Sequence, residues 1–397
     1  MIDAAEGVRT PKAATPATPP SAPEAPSLDT QRLLDTFLEL VCIDSPSLKE
    51  GDVAAWCADA LRQAGCTVRF DDAAKCVGSN TGNLLASLPG TAPGKLYFSA
   101  HMDTVNPGEG IEPVIENGII RSVGETILGG DDKVGIAAII ELVRTLGASA
   151  RPHPEVGVLL SVAEEIGLRG ALAMDGSDFK GEPCFVLDAG DKPGTVIIGA
   201  PFHHAFTATF TGKAAHAGIE PEKGVSAIAL ASKAVLGMHL GRLDEHTTAN
   251  VGTISGGNAN NIVPGSCTVT GEFRAMDEER IAEVKTQLAA ALSAAVSDSE
   301  GTVETDWAQA YPGFMIAEDD PLVQLVLGEA RALGLDARTT FTGGGSDANF
   351  FADKGLQPLV LGTGMTNVHG LGEQLAVEDL EGLARLCIAV TYAYSPR

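Results

Sequence analysis

"KLYFSAHMDTV", Lys95–Val105, joins a short apolar run to an imidazole and a carboxylate two residues apart. The run "KLYFSA" reads as a buried strand. His101 and Asp103 at its end have two readings. In one they are a capped strand terminus, with Asp103 accepting a nearby backbone N–H and His101 a satisfied, half-buried ring. In the other they begin a chemical site, and the rest of the chain has to choose between the two.

Outward from this strand the pattern is regular. "LDTQRLLDTFLELVCI" and "DVAAWCADALRQAG" have helical spacing, and "CTVRFDD" and "NLLASL" read as strands. "DDKVGIAAIIELVRTLGA" is a strong helix with acids at its start. "VGVLLSVAEE", "PCFVLDAG" and "TVIIGA" are further short apolar strands. Strands alternating with helices predict an α/β layer with a mostly parallel sheet, whose ligands collect beyond the carboxyl ends of the strands. A different style occupies residues 201–310: strands "HHAFTATFTG", "TANVGTISGG" and "SCTVTGEFRAM" interleaved with helices "SAIALASKAVLGM" and "EERIAEVKTQLAAALSAAVSD". This α+β module is the size of one domain and is inserted into the larger α/β unit, which spans 28–200 and 311–397. Residues 1–27, rich in Pro, Ala, Ser and Thr, read as a disordered tail without the apolar core of a signal peptide.

Composition removes several classes of function. The 397 residues carry 27 Lys and Arg against 52 Asp and Glu, a net charge of −25. Such a field repels nucleic acid and anionic membranes and draws cations into an acidic cleft. No apolar run reaches the roughly 18 residues that a bilayer crossing needs. Seven scattered cysteines, an odd number without Cys-x-x-Cys spacing, predict a reduced, cytoplasmic protein without a thiolate zinc site.

The strand ends decide the opening question. "KLYFSA" ends at His101 and Asp103, "TILGG" runs into Asp131 and Asp132, and "VGVLLSVA" ends at Glu164 and Glu165; "PCFVL" ends at Asp188, and His369 follows "LQPLVLGTG". In an open α/β sheet these edges line one crevice. That many carboxylates together repel one another, and divalent cations relieve the repulsion. Imidazoles and carboxylates without thiolates suit zinc, with manganese or cobalt as substitutes.

The motifs "HMDT", "GGDDKVG", "AEEIG", "LDAG", "GKAAHAG" and "NVHG", in this order, resemble those of the co-catalytic di-zinc metallopeptidases that include peptidase T, carboxypeptidase G and the aminoacylases. "GKAAHAGIEPEKGVSAI", "NNIVP" and "GEFRA" resemble the peptidase T-like branch. The resemblance implies a di-zinc catalytic domain with a ferredoxin-like lid and dimerisation domain, and therefore a homodimer formed through the lid. It implies two Zn2+ per subunit, held by His101, Asp131 as the bridge, Glu165, Asp188 and His369. It makes Asp103 the acceptor of the other His101 ring N–H and Glu164 the general base acting on a metal-bridged hydroxide. His216 becomes an oxyanion donor that reaches across the dimer, and Asn261, Arg274 and the glycine loop around Gly344 become substrate contacts. The activity implied is that of an exopeptidase on small peptides, of the tripeptide aminopeptidase type. An N-acyl-amino-acid amidohydrolase or carboxypeptidase shares the same centre, and a non-catalytic metal-binding or assembly protein would have no use for Glu164.

Several positions keep a second reading. Asp132 competes with Asp131 as ligand, although an acid at a helix start also serves the helix dipole. An isolated "EE" does not say whether Glu164 or Glu165 faces a metal; only the family register orders them. His203 and His204 alternate across a strand and are read as structural, as is Cys184. His153 and His246 are read as solvent-facing. The glycine loop also reads as a mere turn, and Arg274 as an outward strand residue balancing local acid.

Overall fold

The computed structural model describes residues 28–396; the tail read at 1–27 lies outside the described residues, as does Arg397. The apolar runs of the larger unit form a nine-stranded sheet. Its centre is parallel: Lys95–His101 lies between Glu155–Ser161 and Pro183–Ala189, and Gln357–Gly362 extends the parallel set on the far side of Pro183–Ala189. The strands Thr67–Phe70 and Leu84–Leu88 add to one side antiparallel. Helices cover both faces, so the central strands are buried on both sides and need continuous apolar runs.

One helix sets the depth of the site. In Gly130–Gly147 every residue except Arg144 and Gly147 is buried, and the helix packs against the strand Lys95–His101 and the helices Thr30–Val41 and Val377–Ala393. A helix apolar on all sides can only be central. Its close approach to the sheet needs glycine at 135, where a Cβ would come 2.8 Å from the Leu187 carbonyl oxygen. Truncating a residue such as Ile139, wholly buried here, costs about 2–5 kcal/mol. The one acid of its interior, Glu141, is met by the Arg32 guanidinium through two bonds of 2.6 and 2.8 Å, so the charge is not buried unpaired.

The smaller unit is a five-stranded antiparallel sheet running from Gly241–Arg242 through Thr248–Gly256, Ser266–Ala275 and Phe202–Thr211 to Thr302–Tyr311. Apart from the two-residue strands Ala215–His216, Gly241–Arg242 and Ile262–Val263 and the 3-10 turn Pro221–Lys223, the order of elements is strand, helix, strand, strand, helix, strand, the ferredoxin-like arrangement. The helices Ala227–Gly237 and Glu278–Val296 close one face over Phe206, Phe210, Val269 and Phe273, the second helix burying its own Leu288 and Leu292 against them. The chain crosses between the units at 200–202 and 311–314. There Phe314 pairs with Ala200 and Tyr311 with His203, so the two crossings run side by side as a ribbon. His153 departs from its solvent-facing reading: it is 6% exposed, with Nδ1 2.8 Å from the Pro154 carbonyl oxygen. Polar neighbours in sequence did not reveal that this loop folds against the start of the sheet.

Candidate metal centre and substrate cleft

The parallel register brings the carboxyl ends of the central strands to one edge. His101 pairs with Ser161, and the Pro183–Ala189 strand runs in step with both neighbours, so the residues after each strand emerge together. There His101 Nε2 lies 3.0 Å from Asp131 Oδ1 and 3.9 Å from Asp188 Oδ1. His369 Nε2 lies 3.2 Å from Asp131 Oδ2 and 3.1 Å from Glu165 Oε2. The two oxygens of Asp131 therefore face different imidazoles. Three three-residue clusters result: His101 with Asp131 and Asp188, His369 with Asp131 and Glu165, and His101 with Glu164 and Glu165, the first two sharing Asp131.

Each ligand candidate is aimed by neighbours that the strand pattern alone does not name. The His101 Nδ1 lies 2.9 Å from the main-chain oxygen of Asp103 and 3.6 Å from its Oδ1. The carboxylate is turned elsewhere: it accepts the Glu164 N–H at 2.9 Å, the Glu165 N–H at 3.2 Å and the Ser47 hydroxyl at 2.6 Å. Those N–H groups would otherwise be buried without acceptors, so they take the carboxylate and leave the carbonyl to the ring. The same turn is held by Asn83, which accepts the Val162 N–H, and by Glu50, which accepts that of Ala163, a residue at φ 54°. Asp132 spends its carboxylate on the His101 and Gly135 N–H groups, at 3.3 and 3.1 Å. Of the two glutamates, Glu165 reaches His369, while Glu164 makes no side-chain hydrogen bond among the described residues and stands beside His101.

The electrostatics fit a cation-binding pocket. Burial pushes the carboxyls of Asp188, Glu164 and Asp132 well above the ordinary range, and neighbouring carboxylates add to the effect. Asp131 goes the other way: burial opposes it, but the two imidazoles hold its carboxyl below the ordinary range. His369 is pushed up to about 10 by its hydrogen bonds to Asp131 and Glu165. Glu165 Oε1 is buried with no partner. Imidazole protons are the only counter-charge within these clusters, and an orphaned carboxylate oxygen points into them; nitrogen and oxygen donors of this kind suit a divalent metal.

The substrate-side candidates fall into two groups, neither joined to the metal cluster by a hydrogen bond. His216 and Asn261 stand together on the small unit, where the Ala217 N–H donates to the Asn261 carbonyl at 2.9 Å, and both are exposed. Arg274 is half-buried; its Nε donates to Glu272 at 2.8 Å and its Nη1 to the Gly343 carbonyl at 2.9 Å. It thus balances an acid and also reaches the glycine loop. There the Gly344 N–H bonds the Thr342 hydroxyl, and Gly345 lies so close to Tyr311 that a Cβ would come 2.4 Å from the ring. A cavity of about 630 Å³ opens at this place, lined by Arg242, Asn250, Glu272, Arg274 and Gly343 among others. Another of about 660 Å³ lies around Lys95, Pro183 and Tyr394, at the opposite edge of the sheet, and contains none of the candidates.

Reading strand ends passed over two buried acids. Asp347 bonds the Ser161 hydroxyl, and burial pushes its carboxyl up to about 6. An Asp between glycines and "ANFF" is a helix N-terminus signal, and the helix Ala348–Asp353 does begin there. Glu373 accepts three backbone N–H groups from 128–131. Nothing local in "HGLGEQ" marks it as buried.

An acidic, metal-fitted crevice at a sheet's carboxyl edge, beside an inserted ferredoxin-like unit, fits a metal-dependent hydrolase. The comparisons agree. Residues 202–300 match the M20 peptidase dimerisation domain, and residues 83–179 match peptidase family M28. An uncharacterised Bacillus subtilis protein, YqjE, is 38% identical over 364 residues, covering 91% of this chain and 98% of its own. The structure of aminopeptidase PepT from Bacillus cereus is 36% identical with a TM-score of 0.87, covering 92% of this chain and 99% of that one. A Staphylococcus aureus tripeptidase structure is 36% identical with a TM-score of 0.89, covering 92% and 98%. The chain belongs to the peptidase T-like branch of the M20 metallopeptidases.

Proposed function

We propose that the protein is an exopeptidase of the tripeptide aminopeptidase type, and that His101, Asp131, Glu165, Asp188 and His369 hold two zinc ions, with manganese or cobalt as substitutes. The observation that carries this reading is the shared carboxylate: Asp131 Oδ1 faces His101 at 3.0 Å while its Oδ2 faces His369 at 3.2 Å. When bound, such an ion pair supplies Lewis acidity, polarising the scissile carbonyl and acidifying water. The chain's own residues do the rest. Glu164 takes the proton of the attacking water on a carboxylate oxygen and delivers it to the leaving amine. Asp103 holds the Glu164 and Glu165 backbone in place for this work.

Arg274 and the loop around Gly344 receive a substrate carboxylate, for which a guanidinium fork is suited. His216 and Asn261 serve the oxyanion and substrate backbone from a second copy of the chain. A homodimer through the small unit is supported by the strand Thr248–Gly256, whose outer edge is paired only at Thr248 and Ala249, and by exposed Ile254 and Leu236 nearby. No helix among the described residues is long and apolar enough to cross a membrane, and all seven cysteines are free, which fits action in the reducing cytoplasm.

The amino-terminal preference is supported by the similarity to an aminopeptidase and a tripeptidase across almost their whole lengths. A panel of di- and tripeptides, blocked and unblocked at each end and assayed with zinc, manganese and cobalt, tests it. Release of the first residue from unblocked tripeptides, lost on N-acetylation, is expected. Cleavage of N-acyl amino acids, or release of the last residue from N-blocked peptides, assigns the amidohydrolase or carboxypeptidase alternative instead. No turnover with any metal leaves a binding or assembly protein.

A further inference from the structure

We propose that Glu373 is the positioning residue that sets the Asp131 carboxylate between the two cation positions, an inference that rests on the metal-centre reading above. Glu373 is 2% exposed, and the hydrogen-bond partners of its carboxylate among the described residues are backbone amides: Oε2 accepts from Leu128 and Gly129 at 2.8 Å each, and Oε1 accepts from Asp131 at 3.0 Å. These are charge-assisted bonds to a main-chain turn that acts as an anion nest, filled here by a side chain far away in sequence. The turn favours glycine at 129, which adopts φ 68°, and a Cβ on residue 130 would come 3.1 Å from Glu373 Oε1 and press on it.

The other end of the clamp is equally well anchored. Thr366 and Gln374 exchange backbone bonds of 3.0 and 3.1 Å, closing a loop that carries His369 near its tip and Glu373 at its base. Within it the Glu373 N–H bonds the Gly370 carbonyl, Asn367 bonds the Gly372 carbonyl, and His369 sits at φ 63°. The strand Gln374–Ala376 then pairs with Ile119–Ser122. One rigid loop thus offers His369 to one face of Asp131 and grips the backbone of Asp131 from behind. Asp131 and Asp132 depart from helical geometry within the first turn of Gly130–Gly147; Asp132 is tied to the Gly135 and His101 N–H groups, while the backbone N–H of Asp131 is held by Glu373.

Glu373→Gln keeps the size but replaces one acceptor oxygen with an NH2, which must face an N–H of the turn. The full-length protein, stripped of metal and titrated with Zn2+ against a chromophoric chelator, is expected to bind about 10–100-fold more weakly in this variant. The Co2+ absorption spectrum should change, and the melting temperature of the metal-free protein should stay close to that of the wild type. Unchanged zinc affinity in a folded variant overturns the proposal, and so does a loss of affinity that only follows a matching loss of metal-free stability. Gly130→Ala is the second arm, because it crowds Glu373 Oε1 without altering the carboxylate. A smaller loss of affinity supports the clamp, and none overturns it. If the wild-type chain itself binds no zinc, the metal-centre reading fails first, and the two failures are told apart by that control.

Discussion

The larger unit encloses four of its five ligand candidates, all but His369, whose side chain is 52% exposed, whereas the smaller unit leaves His216 and Asn261 in solvent. The side chains of His101, Asp131, Glu165 and Asp188 are 1%, 12%, 7% and 11% exposed. Behind them Asp103, Asn83, Glu50 and Glu373 each accept main-chain N–H groups. His216 and Asn261 are held by the pairing of two short strands and by local bonds of the turn, such as the Gly218 N–H to His216 Nδ1. The contrast separates two tasks. Holding cations needs donors fixed within tenths of an ångström, which a packed sheet edge provides. Engaging a substrate needs groups that arrive after it does, and an exposed hairpin on a separate unit suits that role.

Three substitutions test this division. The largest effect belongs to Asp131→Ala, which removes an oxygen from both clusters that share it. Both ions should be lost together, and hydrolysis should fall by about 10⁶-fold or more, toward the uncatalysed rate. Metal analysis beside turnover checks this, and a variant that retains two tightly bound ions would break the shared-carboxylate reading. Glu164→Ala should keep both metals while turnover falls by about 10²–10⁴-fold; unchanged turnover removes Glu164 from its role as base.

His216→Ala should lower turnover by about 10²–10³-fold with metal content unchanged. It also offers a sharper test of the comparison. If His216 serves the other copy's site, mixing the His216→Ala and Glu164→Ala proteins should restore activity, reaching about a quarter of wild type when subunits exchange freely, since one site in each mixed dimer is whole. No recovery in a mixture shown to exchange subunits would place His216 in its own chain's site or outside any site.

Much of the larger unit was legible because period and position coincide there. Apolar runs gave the strands, and polar residues at their carboxyl ends gave the crevice, since a parallel sheet delivers those ends to one edge. What stayed hidden depended on contacts distant in sequence. What else Asp103 accepts stayed hidden, because the demand comes from the N–H groups of Glu164 and Glu165, 61 and 62 residues on. Nothing near Glu373 in the chain points to its role, because its donors lie at 128–131. In the smaller unit the strands and helices were equally readable, but an exposed histidine is not tied by packing to any partner. Only the motif around it, and no periodicity, attached His216 to the site.

Arg274 lies between the two styles, and the smallest expected effect concerns how it is held. Glu272 accepts from it at 2.8 Å and lies 3.0 Å from His203 Nε2. The His203 ring beside it, and then the Arg274 hydrogen bond, hold the Glu272 carboxyl down at about 2 against the opposing effect of burial. The ordinary glutamate value is about 4.3. A carboxyl depressed on folding contributes stability that is complete above its unfolded value and is lost as pH falls toward its folded one. Wild type should therefore lose stability between about pH 4.3 and pH 2 more steeply than Glu272→Gln, the two curves converging at the acid end. The side chain is partly solvated, so solvent screens the pair, and the gap at neutral pH should be small, about 2 °C in Tm. Thermal melts at several pH values measure it. Converging curves place Arg274 among the fixed residues, held by charge before substrate arrives; parallel curves would group it with His216, as a side chain whose position the substrate itself must set.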